Sequence, residues 1–558
     1  MEVDRAVAKI LKMEGVEVAT GYPNVPLQEA MAKEGIRHIT FRNERVAVEA
    51  SIGYARTSFG KCIGVSSMQG GPGLEVAFAG LREAYSDSVP VLLLSSGDPA
   101  SRVTTNPNFN PVVELRGVTK MVDSIIQPER TCEIMRRAFT ALKMGRPRPV
   151  LVEIPWERKE VGLDDALFNY KPVKAARAGA GDPADVKEVA KALIQAKNPM
   201  IRAGQGVLYA MGWDELRELA ELLEIPVMTT LNGKSVFPEN HRLSLGAGGR
   251  TQNQALVNFL KKADLILMIG ESYTICHFMT PIPSGKTVMQ ITIDPSDINK
   301  DYPVEQAIIG DAKLVMRQLI DEIKKQVGPR GRGSNRGVAK QIKADKEEWL
   351  KKWMPKLTSD EVPINPYRVY WDVMHTVDRM KTIVTHDSGS PRDSLVPIWE
   401  SLVPGSFIGY GKDHMLGSGL GFIMGAKMAN PDKFCINFMG DGAFGQVGMD
   451  FETAVRARIP VTTIVNNNGE LTWTKKICPE ATKIYEVEKF TGDYRKVAEA
   501  LGGHAERVEK PEDIIPAIKR AKKANDAGVP ALIEIMGKAE PEISLIPVEY
   551  GIHGLSYY

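Results

Sequence analysis

Gly440 to Trp473 reads GDGAFGQVGMDFETAVRARIPVTTIVNNNGELTW, and its pattern sets the fold class. An apolar run, Phe434-Cys435-Ile436-Asn437-Phe438, enters Gly440-Asp441-Gly442. A helical run follows, and a second apolar run, Val461 to Val465, leaves through Asn466-Asn467-Asn468-Gly469. This rhythm predicts two parallel strands whose carboxyl ends lie side by side, where ligands of open α/β sheets bind. Asp441 and the asparagines then offer hard oxygen ligands to a small divalent cation, and the glycines admit a phosphate close to the backbone. The stretch predicts a magnesium–diphosphate anchor. The competing reading is a tight turn with an Asp helix cap.

The chain of 558 residues is long enough for three or four domains. A formal net charge of +2 gives no electrostatic case for nucleic acid or an anionic membrane as partner. No apolar run is long enough to span a bilayer. Met1-Glu2-Val3-Asp4-Arg5 lacks the layout of a signal peptide, which predicts a cytoplasmic protein. The five cysteines are scattered without a CxxC, and the histidines show no zinc spacing.

Strand and helix patterns alternate throughout, predicting an α/β protein of three doubly wound, mostly parallel-sheet domains. The first spans 1–165, where Phe41-Arg42-Asn43-Glu44 opens a helix and Gln69-Gly70-Gly71-Pro72-Gly73 follows a strand. A small, polar linker (172–183) precedes a second unit at 183–328, whose Gly204-Gln205-Gly206 is a weak nucleotide signal. The basic, glycine-rich segment 328–337 reads as a solvated linker. The third unit covers 360–540, and the tail 541–558 has no periodicity. The first and third units share a rhythm but no sequence repeat.

These stations, in this order, resemble the acetolactate synthase-like superfamily of thiamine-diphosphate enzymes over essentially the whole chain. The resemblance rests on Phe41 to Ala50, Gly53-Tyr54-Ala55-Arg56, Gly71-Pro72-Gly73, Ala429-Asn430-Pro431-Asp432 and the GDG … NN element. It implies pyrimidine-binding, central and diphosphate-binding domains in that order. It further implies that Glu44 hydrogen-bonds the cofactor's aminopyrimidine and so promotes loss of the thiazolium C2 proton. Leu416, before Gly417, matches the apolar wedge that bends the cofactor. The diphosphate is expected against Ser388, Gly389 and Ser390 on one side and Gly440, Gly442 and Ala443 on the other. Asp441, Asn468 and the backbone oxygen of Glu470 are expected to bind Mg²⁺, with Asn467 as the fallback. The pyrimidine site of one subunit is expected to meet the diphosphate site of another, in a homodimer or homotetramer.

Substrate choice is expected from Gln69, Glu470, Leu471 and Trp473, with Asn24, Asn108 and Phe109 as weaker candidates. Gly469-Glu470-Leu471-Thr472-Trp473-Thr474-Lys475-Lys476 departs from the acetolactate synthase motif, which disfavours, without excluding, FAD as a second cofactor. Ala443-Phe444-Gly445, Gly448-Met449-Asp450 and Glu452-Thr453 look more like 2-hydroxyacyl-CoA lyases. The leading expectation is therefore cleavage of a 2-hydroxyacyl-CoA to formyl-CoA and an aldehyde or ketone, or the reverse, with Glu470 handling the hydroxyl proton. A 2-oxo acid carboligase or decarboxylase of acetolactate synthase type and an oxalyl-CoA decarboxylase-like enzyme are the alternatives. An acyl-CoA substrate would place its 3′-phosphate near Arg202, Arg250 or Arg330/Arg332/Arg336. The tail from Pro541 is a candidate active-site cover.

Overall fold

The computed structural model describes residues 1–544 apart from Thr104, 156–161, Arg177, His277, 333–336 and His414. Three six-stranded sheets follow one another along the chain. The first holds β1 (Val18–Gly21), β2 (Arg37–Thr40), β3 (Gly64–Met68), β4 (Val91–Gly97), β5 (Met121–Ser124) and β6 (Val150–Pro155). The second holds β7 (Pro199–Ala203), β8 (Val227–Thr230), β9 (Ser244–Gly248), β10 (Leu265–Ile269), β11 (Thr287–Thr292) and β12 (Gln306–Ile309). The third holds β13 (Thr382–His386), β14 (Phe407–Ile408), β15 (Phe434–Gly440), β16 (Thr462–Asn467), β17 (His504–Val508) and β18 (Ala531–Met536). The pairings within each sheet are parallel. Helices cover both faces, which is why strands such as Val91–Gly97 are buried at every position, its first four residues reading as an apolar run without alternation.

Strand order separates the outer sheets from the central one. The first runs β2-β1-β3-β4-β6-β5 and the third β14-β13-β15-β16-β18-β17. Counted within each sheet, these are the same order. The central sheet, β9-β8-β7-β10-β11-β12, has the doubly wound order of dinucleotide-binding folds, with its switch point between β7 and β10.

The outer units pack together through helix Glu44–Thr57 and helix Ser418–Ala429, and one apolar core runs through both. The crossing is close because glycines lie at the contact. A Cβ on Gly53 would fall 2.1 Å from Phe422 O, and one on Gly425 only 1.9 Å from Ala50 O. Both helices begin at the same end of this contact, where Arg45 Nη2 donates to Leu416 O at 3.0 Å.

Past β18 the chain bridges Gly537 to Ile364 and reaches Ser544, whose Oγ accepts from Trp349 Nε1 at 3.0 Å. The backbone N–H of Gln252 donates to Ser544 O at 3.0 Å, so this end lies beside the central unit. The rest of the tail expected to cover the site, 545–558, falls outside the described residues.

Candidate active site

β15 ends at Gly440, opposite Asn466 of β16, and helix Asp441–Val447 starts on the next residue. Asp441 is buried at this strand end. Its Oδ1 accepts the Gly442 N–H and its Oδ2 the Gly469 N–H, both at 2.8 Å, so one carboxylate ties the two strand ends together. Burial pushes the Asp441 carboxyl up, against these two amide donors. A divalent cation on its outer lone pairs would favour the ionised form.

The three asparagines have different roles. Asn466 Oδ1 is buried beneath Gly537. Asn467 is buried, and its Nδ2 donates to Glu534 Oε1 at 2.7 Å below the site. Asn468 stays at the rim: Nδ2 donates to Thr472 Oγ1 at 2.9 Å, and Oδ1 accepts the Glu470 N–H at 3.2 Å. Asn468 is thus the amide left to join Asp441 at a cation. A Cβ built on Gly389 or Gly440 meets nothing within 4 Å, so the turns flanking this edge leave room for a bulky anion. One carboxylate, one amide oxygen and a backbone carbonyl form a hard-oxygen set, and they fit a magnesium diphosphate.

Glu470 follows Gly469 at the same rim. Its carboxylate pairs with Lys475, and its backbone bridges to Lys489. The main-chain oxygen is left for the metal, and one carboxylate oxygen is held by Lys475. The turn at Gly469 (φ +67°) precedes Glu470, whose side chain, 16% exposed, meets Lys475 of the following segment.

Asp387, at the end of β13, organises the facing turn. It is fully buried, with Oδ1 accepting N–H groups of Ser388 (2.8 Å) and Gly417 (2.9 Å) and Oδ2 that of Gly419 (3.0 Å). Burial raises its carboxyl to about 6. Ser388 Oγ donates to Met415 O at 2.9 Å, so the Ser388-Gly389-Ser390 turn and the Leu416 turn form one unit. Gly417 has φ +102°, a conformation that places half-buried Leu416 at the head of its helix. Ala443 is buried in the core, so only its backbone can face an anion.

In the first unit, Asn43 caps the helix through Oδ1 and the Arg45 N–H at 2.9 Å, and Glu44 opens it. A Cβ on Gly73 would lie 3.5 Å from Glu44 Oε1 and 3.4 Å from Gln69 Cγ, so these three residues converge. Desolvation pushes the half-buried Glu44 carboxyl up, partly offset by its own backbone N–H. Such a carboxyl suits proton sharing with a ring nitrogen. Of the weaker candidates, Asn24 is buried at a helix start, half-buried Asn108 donates to Arg102 O at 3.0 Å, and Phe109 packs on the core.

The residues read as a lyase signature are used between the units. Asp450 is buried and accepts the Arg42 N–H at 2.8 Å and Thr453 Oγ1–H at 2.8 Å. Glu452 Oε2 accepts from Arg42 Nε at 2.9 Å. Asp450 and Glu452 therefore fix the loop that leads into Glu44. The sequence reading did not bring out Asp387, nor the bonds Arg42–Asp450 and Arg45–Leu416, whose partners lie hundreds of positions apart.

Trp473, expected at the substrate end, lies under Arg250 of the central unit, 5.9 Å from its ring centroid. Arg250 also faces Asp393 Oδ2 at 3.3 Å. Arg202 is buried, donating to Glu271 Oε1 (2.6 Å) and Thr280 O (2.7 Å). Arg332 is bound to Leu222 O and Ala196 O, at the amino ends of the central strands. That removes it from any ligand at the opposite edge, and Arg336 lies outside the described residues.

At the carboxyl ends of the central strands lies a cavity of about 510 Å³. Gly206, Gly270 and Asp294 line it from the central unit, Asp87 and Arg146 from the first and Lys412 from the third. Of Gly204-Gln205-Gly206, Gln205 and Gly206 border this space at the switch point.

Comparison with known proteins agrees with this architecture. Residues 1–123 match the thiamine pyrophosphate enzyme N-terminal TPP binding domain, 186–319 its central domain and 387–535 its C-terminal TPP binding domain. The chain is 30% identical to a probable acetolactate synthase large subunit of Methanococcus aeolicus, covering 97% of this chain and 93% of that protein. It is 28% identical to a glyoxylate carboligase of Escherichia coli O157:H7, covering 97% and 94%. An acetolactate synthase large subunit of Corynebacterium glutamicum is also 28% identical, over 94% and 85%. Among the described residues no helix is long and apolar enough to cross a membrane.

Proposed function

The chain belongs to the thiamine pyrophosphate enzyme family and is a thiamine-diphosphate-dependent enzyme of the carboligase or lyase type; we propose that it joins two 2-oxo acids with loss of CO₂. The expected lyase thus becomes the secondary reading. It rested on the runs Ala443-Phe444-Gly445, Gly448-Met449-Asp450 and Glu452-Thr453 and on Glu470; Asp450 and Glu452 are engaged by Arg42, and Glu470 by Lys475. The observation that carries the carboligase reading is Arg250, over Trp473 and beside Asp393, a guanidinium suited to a substrate carboxylate. The names of the relatives, acetolactate synthase and glyoxylate carboligase, point the same way.

The bound cofactor would supply a carbon nucleophile and an electron sink. The protein's own residues do the rest. Asp441, Asn468 and the Glu470 carbonyl hold the cation, and the turns at Gly389 and Gly440 hold the diphosphate. Glu44 holds and returns a proton at the aminopyrimidine. Leu416 excludes water and fixes the ring, and Arg250 orients the substrate carboxylate. The cavity at the β7–β10 switch point fits an adenine nucleotide, the moiety shared by FAD and coenzyme A. We assign that role to it in preference to the arginine-rich linker. As the resemblance implies, a second subunit completes the site.

The test is product analysis with thiamine diphosphate and Mg²⁺ on pyruvate, glyoxylate, oxalyl-CoA and 2-hydroxyisobutyryl-CoA. Carboligation of an oxo acid supports the reading, and cleavage of the thioester with the oxo acids untouched overturns it.

A further inference from the structure

Behind the Leu416 turn, three helices meet around one hydroxyl. Ser418 Oγ lies 2.9 Å from Glu49 Oε1 and 3.0 Å from Glu83 Oε2. Ser418, Glu49 and Glu83 are all fully buried. A serine hydroxyl carries one hydrogen, so it can donate to only one of two carboxylates. The other contact would set oxygen lone pairs against each other unless that carboxyl brings its own proton. Glu49 faces a cation, Arg45 Nε at 3.4 Å, whereas among the described residues Glu83 has no ion-pair partner within 4 Å.

We propose that Glu83 is held as the neutral acid and acts as a positioning residue for Leu416. Its O–H donates to Ser418 Oγ, and the Ser418 O–H donates to ionised Glu49. Glu49 orients Arg45, and Arg45 Nη2 holds Leu416 O at 3.0 Å. This relay joins the helix that starts at Glu44, the helix Pro72–Ser86 after Gln69, and the helix behind Leu416. The Leu416 end of it rests on the cofactor reading given above, whereas the protonation of Glu83 does not.

The surroundings favour the neutral acid. Asp87 lies beyond Glu83 on its own helix, paired with Arg56 at 3.8 Å. Tyr410, Lys412 and Asp413 come from the 409–416 segment, with Asp413 drawn to Arg82 at 3.3 Å, and Asp387 and Asp450 lie past Glu49. Desolvation, then the negative charges of Glu49 and Asp87, push the Glu83 carboxyl well above its ordinary range. Above its pKa, Glu83 loses its proton to solvent, two carboxylates face one hydroxyl, and the relay breaks.

Infrared spectra of the full-length protein with thiamine diphosphate and Mg²⁺ test the first half. At pH 7 the wild type is expected to show a protonated-carboxyl C=O band that Glu83→Gln lacks. Equal bands in the two proteins would overturn the proposal, whatever the enzyme's substrate. The second half is read by kinetics. Gln keeps a donor to Ser418 and does not titrate, so Glu83→Gln is expected to stay within about twofold of wild-type kcat/KM, while Glu83→Ala falls by about tenfold. The alkaline limb of the pH profile is expected to move upward in Glu83→Gln. An unchanged limb, or equal losses for Gln and Ala, would contradict the positioning role.

Discussion

The backbone N–H of Arg42 donates to Asp450 Oδ1 at 2.8 Å, across 408 positions of sequence. This bond fixes the residue two places before Glu44 to the diphosphate-binding half of the chain. The placement of Glu44, the proposed activating carboxylate, thus depends on a buried acid in another domain.

Asp450→Ala leaves the Arg42 N–H without its acceptor and frees the loop before Glu44. The cost of an orphaned buried donor is about 1–3 kcal/mol. Steady-state kinetics are expected to show kcat/KM lowered by about tenfold or more, with the Mg²⁺ requirement unchanged because Asp441 and Asn468 are intact.

The asparagine assignment separates metal from structure. Asn468→Ala is expected to raise the Mg²⁺ concentration for half-activation with little change in thermal stability. Asn467→Ala removes a donor from Glu534, which is fully buried and also accepts from Tyr494 N, Arg495 N and Arg507 Nε. It is expected to lower stability by about 1–3 kcal/mol. Calorimetry and metal titration on both variants check the pair, and the reverse pattern would assign the ligand to Asn467.

Glu153 gives a pH test. It is buried, accepts from Ser124 Oγ at 2.9 Å, and burial pushes its carboxyl up to about 7. A folded-state pKa above the unfolded value means that the unfolded chain releases the proton first. This group therefore makes stability fall as pH rises from about 4 toward 7, with no further change above that window. Glu153→Gln removes the ionisation, so its melting temperature relative to wild type should be higher at pH 8 than at pH 5. An equal difference at both pH values would show that Glu153 does not titrate in this way.

The GDG … NN element was legible because it is local: one βαβ unit brings Asp441 and Asn468 to adjacent strand ends, and glycine, acid and amide announce their chemistry. Alternating strand and helix patterns likewise sufficed for three parallel sheets. Strand order was not legible, because each crossover can pass over a neighbour. The shared order of the outer sheets therefore emerged only in space. Short edge strands such as β5 and β14 have too few residues to show a period. Glu49, Glu83, Asp387 and Asp450 resemble ordinary helix or turn acids until distant helices bury them. Identity alone does not reveal that Lys475 pairs with the Glu470 carboxylate.

The most direct measurement of the central claim is release of labelled CO₂ from carboxyl-labelled pyruvate or glyoxylate, with thiamine diphosphate and Mg²⁺, by wild type and Glu44→Gln. The account predicts CO₂ release with formation of a carboligated product by the wild type. It predicts loss of about a hundredfold or more in the variant, in which cofactor binding through Asp441 persists. Wild-type protein that leaves both oxo acids intact, or a Glu44→Gln variant that turns over unimpaired, would contradict it.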